Sequence, residues 1–154
     1  MKRESIKTIF KRAATKFEFS GDDSTFFLKM NDKYLIVNLQ KSSSGKSFYI
    51  NCGISFIELL CDEELQHSPT TTFENKANRF PAHVDFRVES IPHTTIKQDQ
   101  IDSASTNQNT QEIEKILQAA LQSVISFTQQ HGSREEIRRL SQAEKFNAII
   151  NKEV

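Results

Sequence analysis

The chain has 154 residues, 20 basic against 20 acidic side chains, and 36% hydrophobic residues. That length predicts one domain spanning residues 1–154 with enough chain for a core, and the balanced charge argues against a strongly basic nucleic-acid binder. Twelve Phe and no Trp predict a core that leans on a few large aromatics.

Ile6, Ile9, Phe10, Ala13, Ala14 and Phe17 recur at helical spacing and predict an amphipathic N-terminal helix. Its other face carries Lys2, Arg3, Lys7, Lys11, Arg12 and Lys16, with Glu4 to offset them. A basic face suits nucleic acid or an anionic membrane. It also describes the solvated side of a core helix, which is the favoured reading. Residues 1–16 hold no continuous apolar stretch of the signal-peptide kind, and no apolar run approaches spanning length. Two cysteines, Cys52 and Cys61, do not make a disulfide scaffold. The expectation is a cytoplasmic protein with no membrane partner.

Gly21-Asp22-Asp23-Ser24 is a turn signal. Thr25 to Met30 then predicts a strand with Phe26, Leu28 and Met30 on one face, and Asn31-Asp32-Lys33 turns the chain back. In Tyr34–Phe56 two alternating runs flank a polar loop, Lys41 to Lys46. Leu35, Val37 and Leu39 share one face of the first run; Phe48, Ile50, Cys52, Ile54 and Phe56 share one face of the second. Three consecutive antiparallel strands make a meander. Ile57 to Leu65 either extends the strand or forms a short helix. Residues 66–79 are polar and predict a mobile loop. Ala82 to Glu89 predicts a fourth strand, with Val84, Phe86 and Val88 inward and His83, Asp85, Arg87 and Glu89 outward. Residues 97–109 predict a second mobile loop. Asn109 with Glu112 caps a long helix striped by Ile113, Ile116, Leu117, Ala120, Leu121, Val124 and Phe127, and Gly132 ends it. Ser133 and Glu136 suggest a second capping box, before a last helix marked by Ile137, Leu140, Ala143, Phe146 and Ile150. Helices segregated from strands point to an α+β fold: an antiparallel sheet of about four strands packed against an N-terminal helix and two C-terminal helices.

No motif compels a reaction. Gly45-Lys46-Ser47 resembles the end of a phosphate loop, but that motif needs a glycine where Gln40 stands and a helix afterwards, and a strand follows instead. His67, His83, His93 and His131 lack zinc-site spacing, so neither a metal nor a cofactor is expected. Cys52 sits on the apolar face and His83 on the polar one, which does not assemble a nucleophile with its base. Two polar sets remain. Asn38, Gln40, Tyr49 and Asn51 stud the central strand pair, and His83, Asp85, Arg87 and Glu89 stud the fourth strand. Such sets are either an ordinary wet sheet face or a recognition surface. Gly53 within a strand suggests a bulge or a close approach.

Three residue groups together resemble a known family. They are Phe17-Glu18-Phe19, Val37-Asn38-Leu39-Gln40-Lys41-Ser42 and Phe48-Tyr49-Ile50-Asn51-Cys52-Gly53-Ile54, followed by His83-Val84-Asp85-Phe86-Arg87-Val88. This pattern is similar to the bacterial domain of unknown function family 4304, over Lys16 to about Leu140. The family usually has a glycine before its first Phe, where this chain has Lys16. The resemblance implies a small cytoplasmic α+β domain and assigns no catalysis.

Proteins of this size and kind look like immunity proteins of toxin–immunity pairs, including contact-dependent growth inhibition systems. By that analogy the expected function is non-catalytic: binding a cognate toxin protein and neutralising it by occlusion. The acidic patch Glu58, Asp62, Glu63 and Glu64 would meet a basic nuclease toxin, or else it is a solvated loop. The alternative is a small-ligand-binding or enzymatic domain using the polar sheet face around Asn38, Gln40, Asn51, His83 and Arg87. A further alternative, disfavoured by the charge balance, is nucleic-acid binding through the basic helix.

Overall fold

The structure, a computed structural model, describes residues 4–43, 47–107 and 109–154. Helix α1 (Ile6–Lys16) leads into β1 (Ser20–Asp22), β2 (Thr25–Met30), β3 (Lys33–Lys41) and β4 (Phe48–Phe56). A short helix α2 (Asp62–Leu65) precedes β5 (Val84–Arg87). Helices α3 (Gln98–Asn107), α4 (Thr110–His131) and α5 (Arg134–Gln142) follow, and β6 (Ile149–Ile150) closes the order. The six strands form one antiparallel sheet in sequence order, β1 to β6. The fold is α+β.

The ladder register sorts the side chains. Phe26 lies opposite Val37, Val37 opposite Cys52, and Cys52 opposite Phe86. These four residues are buried beneath the helices, as are Leu35, Ile50, Ile54 and Val84. Helix α1 adds Ile9, Phe10, Ala13 and Ala14 to this core, and α4 adds Leu117, Leu121, Val124 and Phe127. Aromatic edges lock the layers. Phe10 meets Phe26 at 5.7 Å between ring centroids. Phe127 lies 5.8 Å from Phe86 and 5.0 Å from Phe146, tying α4 to β5 and to the chain beyond α5. Contacts of this geometry add about 0.5–1.5 kcal/mol to the area each ring buries.

The opposite face has a smaller cover. Ile36 and Phe80 are fully buried there, and Tyr34 bridges Phe27 and Phe80 edge-on at 6.1 and 5.6 Å. The irregular segment 66–82, with a 3-10 turn at Pro69–Thr71, lies across β2 and β3. Gly53 makes the fit possible. A Cβ there would stand 3.2 Å from the Ala82 Cβ and 3.4 Å from the Phe73 ring, and the ladder runs through Gly53 without a bulge.

Several expectations need correction. Among the described residues the sheet has six strands rather than about four. The turn expected over Gly21 to Ser24 is present at Asp23 and Ser24, but Gly21 and Asp22 belong to edge strand β1, and the helix expected to reach Ile150 gives way to edge strand β6; both strands are too short to show alternation. Their conformation comes from the ladder partner: Gly21 pairs with Phe26, and Ile149 with Asp85. Gly21 has φ +132°, and a Cβ would fall 2.4 Å from the Thr25 carbonyl oxygen, so only glycine fits. The strand expected over Ala82 to Glu89 is paired only over Val84–Arg87, after which Val88–Ser90 forms a 3-10 turn. Ile57 to Leu65 resolves into a 3-10 turn and α2.

Residues 97–109, expected as loop, are helical over Gln98–Asn107. The stretch is polar and weakly patterned, yet Ile101 and Ala104 are buried against the core, and the Gln98 side-chain amide donates to the Phe48 carbonyl. Tertiary docking stabilises a helix that local propensity alone leaves marginal. Gln108, Lys2, Arg3 and the Gly45-Lys46 pair of the expected β3–β4 loop lie outside the described residues.

Asn109 caps α4 by accepting from the Glu112 N–H at 3.1 Å. Ser133 caps α5 by accepting from Glu136 N–H, but the Glu136 carboxylate turns to Arg139 and His131 rather than completing a box. Helix α5 stops at Gln142, well before Ile150. Lys145 N–H donates to Leu140 O at 2.9 Å and Glu144 N–H to Ser141 O at 3.0 Å, with Glu144 at φ +57°. These are the paired bonds of a Schellman ending, built without the glycine that usually marks one. Replacing Glu144 by Gly should therefore raise stability by about 0.5–1 kcal/mol, because glycine takes this φ without a Cβ penalty. Urea unfolding of the two proteins checks it; an unchanged or lowered midpoint would contradict this account of the helix end.

Candidate functional site

Register parity that buries Val37 and Cys52 turns Asn38, Gln40, Asn51, Asp85 and Arg87 to the other face. Thr25, Asn38, Asn51 and Arg87 form a row across four strands, with Gln40 opposite Tyr49 one step along. Segment 66–82 covers the neighbouring stretch of this face and stops at Phe73. A depression of about 410 Å³ opens there, lined by Asn38, Leu39, Gln40, Asn51, Phe73 and Asp85. A second, about 370 Å³, continues toward β6 along Arg87, Ser90, Asn147 and Ile149. Asn51 and Asp85 line both, so the two form one groove across the sheet.

The amides in it are oriented. Asn38 Nδ2 donates to Thr25 Oγ1 at 2.8 Å and to the Ser24 carbonyl at 3.4 Å. A carbonyl only accepts, so the nitrogen of Asn38 must face it and Oδ1 must face Asn51. Asn51 Nδ2 then donates to Asn38 Oδ1 at 3.2 Å and to Gln40 Oε1 at 2.7 Å. Both protons of Asn51 are thereby used, and among the described residues neither its Oδ1 nor Gln40 Nε2 has a hydrogen-bond partner. Arg87 lays its guanidinium 4.0 Å above the Tyr49 ring centroid, which holds the plane while leaving its edge N–H groups free to donate.

Asp85 is half-buried and faces Gly53 across the ladder, with Ala82 and Phe73 packed over that glycine. Its carboxylate has no hydrogen-bond or ion-pair partner among the described residues. Burial pushes its pKa up, against the opposing pull of Arg79 and Arg87. Cys52 lies on the helix-covered face, where burial pushes the thiol well up and Glu89 and Asp85 raise it further. It is an apolar packing residue, and its thiolate is strongly disfavoured.

The other expected site residues are elsewhere. His83, expected outward on the polar face, is buried, 3% exposed, with its ring stacked on Phe56. Its Nδ1 accepts from the Phe56 N–H at 2.9 Å. Because β5 ends at Arg87, Glu89 leaves the Asp85–Arg87 face. Glu58, Asp62, Glu63 and Glu64 lie at the far end of β4, away from the groove. Arg134 donates to Glu58 at 3.0 Å, and Glu64 accepts from the Cys61 N–H at 3.0 Å as the cap of its own helix. Asp62 and Glu63 remain exposed. The basic face of α1 is already matched: Lys7 meets Asp23, Lys11 meets Asp22, Arg12 meets Glu4 and Glu114, and Lys16 meets Gln118. Among the described residues no cluster of three His, Cys, Asp or Glu side chains is placed to hold a metal ion, and no helix is long and apolar enough to cross a membrane.

The family model described as Domain of unknown function (DUF4304) matches residues 10–131. The chain belongs to this family. The match takes in most of α1, strands β1 to β5 and helices up to the end of α4, so most of the groove is part of the DUF4304 domain, whereas Asn147 and Ile149 lie beyond the match. It assigns no toxin or immunity role. Neither a curated protein nor a solved structure matches the chain.

Sequence parity identifies Asn38, Gln40, Asn51 and Arg87 as one face. It cannot place Phe73 or Asn147, which arrive from an irregular segment and from beyond α5. Asp85 is visible in the pattern, but its lack of a partner is not.

Two pH responses follow. A carboxylate whose folded pKa is raised binds its proton more tightly in the folded state, so ionised Asp85 lowers stability above its unfolded pKa of about 3.9. Asp85→Asn should raise the urea midpoint at pH 7, with the gain shrinking as pH falls toward about 3.5; equal midpoints at pH 7 would refute the burial argument. His83 behaves oppositely to a salt-bridged histidine. Burial lowers its folded pKa despite the pull of Glu64 and Glu153, so its contribution is present above the unfolded value of about 6.5 and is lost as pH falls below it. His83→Asn, which keeps an acceptor for Phe56 N–H, should flatten the stability loss between about pH 7.5 and 5. A slope identical to the parent protein would place that titration elsewhere.

Proposed function

We propose that this DUF4304 domain binds a small polar ligand in the amide groove and does not transform it. One observation carries the reading: an oriented hydrogen-bond row, at the meeting of two depressions, leaves Asn51 Oδ1, Gln40 Nε2 and the Asp85 carboxylate without partners among the described residues. Half-buried polar groups such as Asn51 and Asp85 normally pair with protein groups or water, whereas Gln40 is exposed. Here the pairing runs in one direction and ends on the groove. Recognition sites of this kind are concave, largely pre-formed and supplied with a few convergent polar groups. Non-catalytic binding fits the placement of Cys52 on the far face and of His83 in the core, since neither offers a nucleophile or base to the groove.

Toxin occlusion, the expectation drawn from family analogy, would use the acidic end. Two of its four carboxylates are engaged within the chain, so that end supports its reading less than the groove supports ligand binding. Phosphate-backbone binding through α1 is disfavoured for the same reason, because its described cations already face acids or an amide.

The test is a fragment screen read by side-chain and backbone amide shifts of the 15N-labelled protein. Hits should move Gln40, Asn51 and Gly53 together. Asn51→Ala should weaken those hits about tenfold, the equivalent of one good hydrogen bond plus the loss of the orientation it imposes. A screen whose shifts fall only away from the groove, as in the cavity of about 610 Å³ that Ile96, Asp99, Ser103, Glu112 and Ile116 line between α3 and α4, or nowhere, would remove the proposal.

A further inference from the structure

Resting on that reading, we infer that the ligand is a compact zwitterion of the amino-acid kind, with its ammonium held by Asp85 and Asn51 Oδ1 and its carboxylate held by the Arg87 fork.

The argument is one of unmatched charge. Asp85 and Arg87 occupy the same face of β5, two residues apart, which sets their Cα atoms roughly 6.6 Å from each other. They are opposite charges within reach, yet they do not pair: no salt bridge or hydrogen bond joins them among the described residues, and the guanidinium lies on Tyr49 instead. Tyr49 therefore holds the cation away from the anion, and the space between the two charges belongs to the groove. A ligand entering there expels water from both, and a charge desolvated without a partner is strongly unfavourable. An occupant that carries charge of both signs meets each of them.

Other classes fail on one side. A polyamine satisfies Asp85 but sets like charge against Arg87. A phosphate or dicarboxylate satisfies Arg87 but faces Asp85. A neutral sugar meets the amides and brings no charge to either group, while Arg79 and Arg87 act on Asp85 without forming an ion pair with it. An ammonium offers three donors, which suits two acceptors, Asp85 and Asn51 Oδ1, on the wall common to both depressions. A carboxylate suits the planar, edge-on donors of a stacked arginine. Ser90 and Asn147 stand beside Arg87 as further polar contacts, and Ile149, 76% exposed, offers an apolar ledge for the ligand's side chain. That ledge accounts for a large hydrophobic residue left open on an edge strand.

The experiment is a titration of the full-length 15N-labelled protein at neutral pH with standard L-amino acids, their N-acetyl derivatives and their amides, beside spermidine, inorganic phosphate and glucose. Free amino acids should give saturable shifts at Asn51, Gly53 and the Arg87 side chain. Capping either end should weaken binding at least tenfold. The variants should follow the charges: Asp85→Asn should weaken the free amino acid about tenfold and the N-acetyl derivative hardly at all, and Arg87→Lys should do the same for the free acid and the amide. A merely structural role for either residue would shift all probes alike. Capped and free forms binding equally, or groove shifts from spermidine, phosphate or glucose alone, would overturn the zwitterion assignment while leaving the ligand groove standing. No groove shift from any of these probes would overturn the assignment and, with an empty fragment screen, the groove reading as well.

Discussion

The pairing of β3 with β4 is the constraint on which the rest depends. Two nine-residue strands align so that Val37 meets Cys52 and Asn38 meets Asn51. Side chains alternate faces with a period of two, so a slip of one residue would send the amides into the helix-covered core and the aliphatic residues into water. Burying Asn38 and Asn51 beneath α4 would strand amide groups without partners, and the register is held by that penalty as much as by apolar burial. Every later element inherits the choice. Strand β5 adds to β4 in the same parity, which puts Phe86 under the helices and Arg87 over the open face.

The open face is kept open by where its cover ends. Segment 66–82 has its own small apolar contacts, Phe80 with Tyr34 and Phe73 against Gly53. Without a side chain at Gly53 the segment settles close to the sheet at that point, with Ala82 and Phe73 in the space a Cβ would need and Asp85 directly across the ladder. One absent Cβ thus sets how closely the roof of the groove approaches the sheet. Functional sites often retain groups that a purely structural sheet would neutralise, and the groove proposal rests on Asp85, which has no hydrogen-bond or ion-pair partner among the described residues, beside an arginine stacked on tyrosine.

Legibility along the chain follows pattern length. Six-residue and nine-residue strands carry enough alternation to be seen, and β2, β3 and β4 lie where the apolar spacing puts them. Helices α1 and α4 show their stripes, and α4 its cap at Asn109, whereas the cap of α1 at Ser5 emerges only in the structure. The end of α5 is hidden because its left-handed residue is Glu144 rather than glycine. Helix α3 is hidden because its buried residues are few, with Ile101 and Ala104 carrying most of the docking among side chains that otherwise look like loop.

Alternation alone settles which residues share a face: Asn38, Gln40, Asn51 and Arg87 on one side, Val37 and Cys52 on the other, since that is a property of an extended backbone and needs no partner. Whether a shared face is exposed, covered or half-roofed depends on segments distant in the chain, and no local period encodes it. His83 shows the limit. Its position in β5 parity promises a surface residue, but the ring lies against Phe56 and accepts that residue's N–H, because a distant strand end needs an acceptor there. Asp85 shows the same limit in reverse, its solitude arising from what other strands and loops do not bring to it.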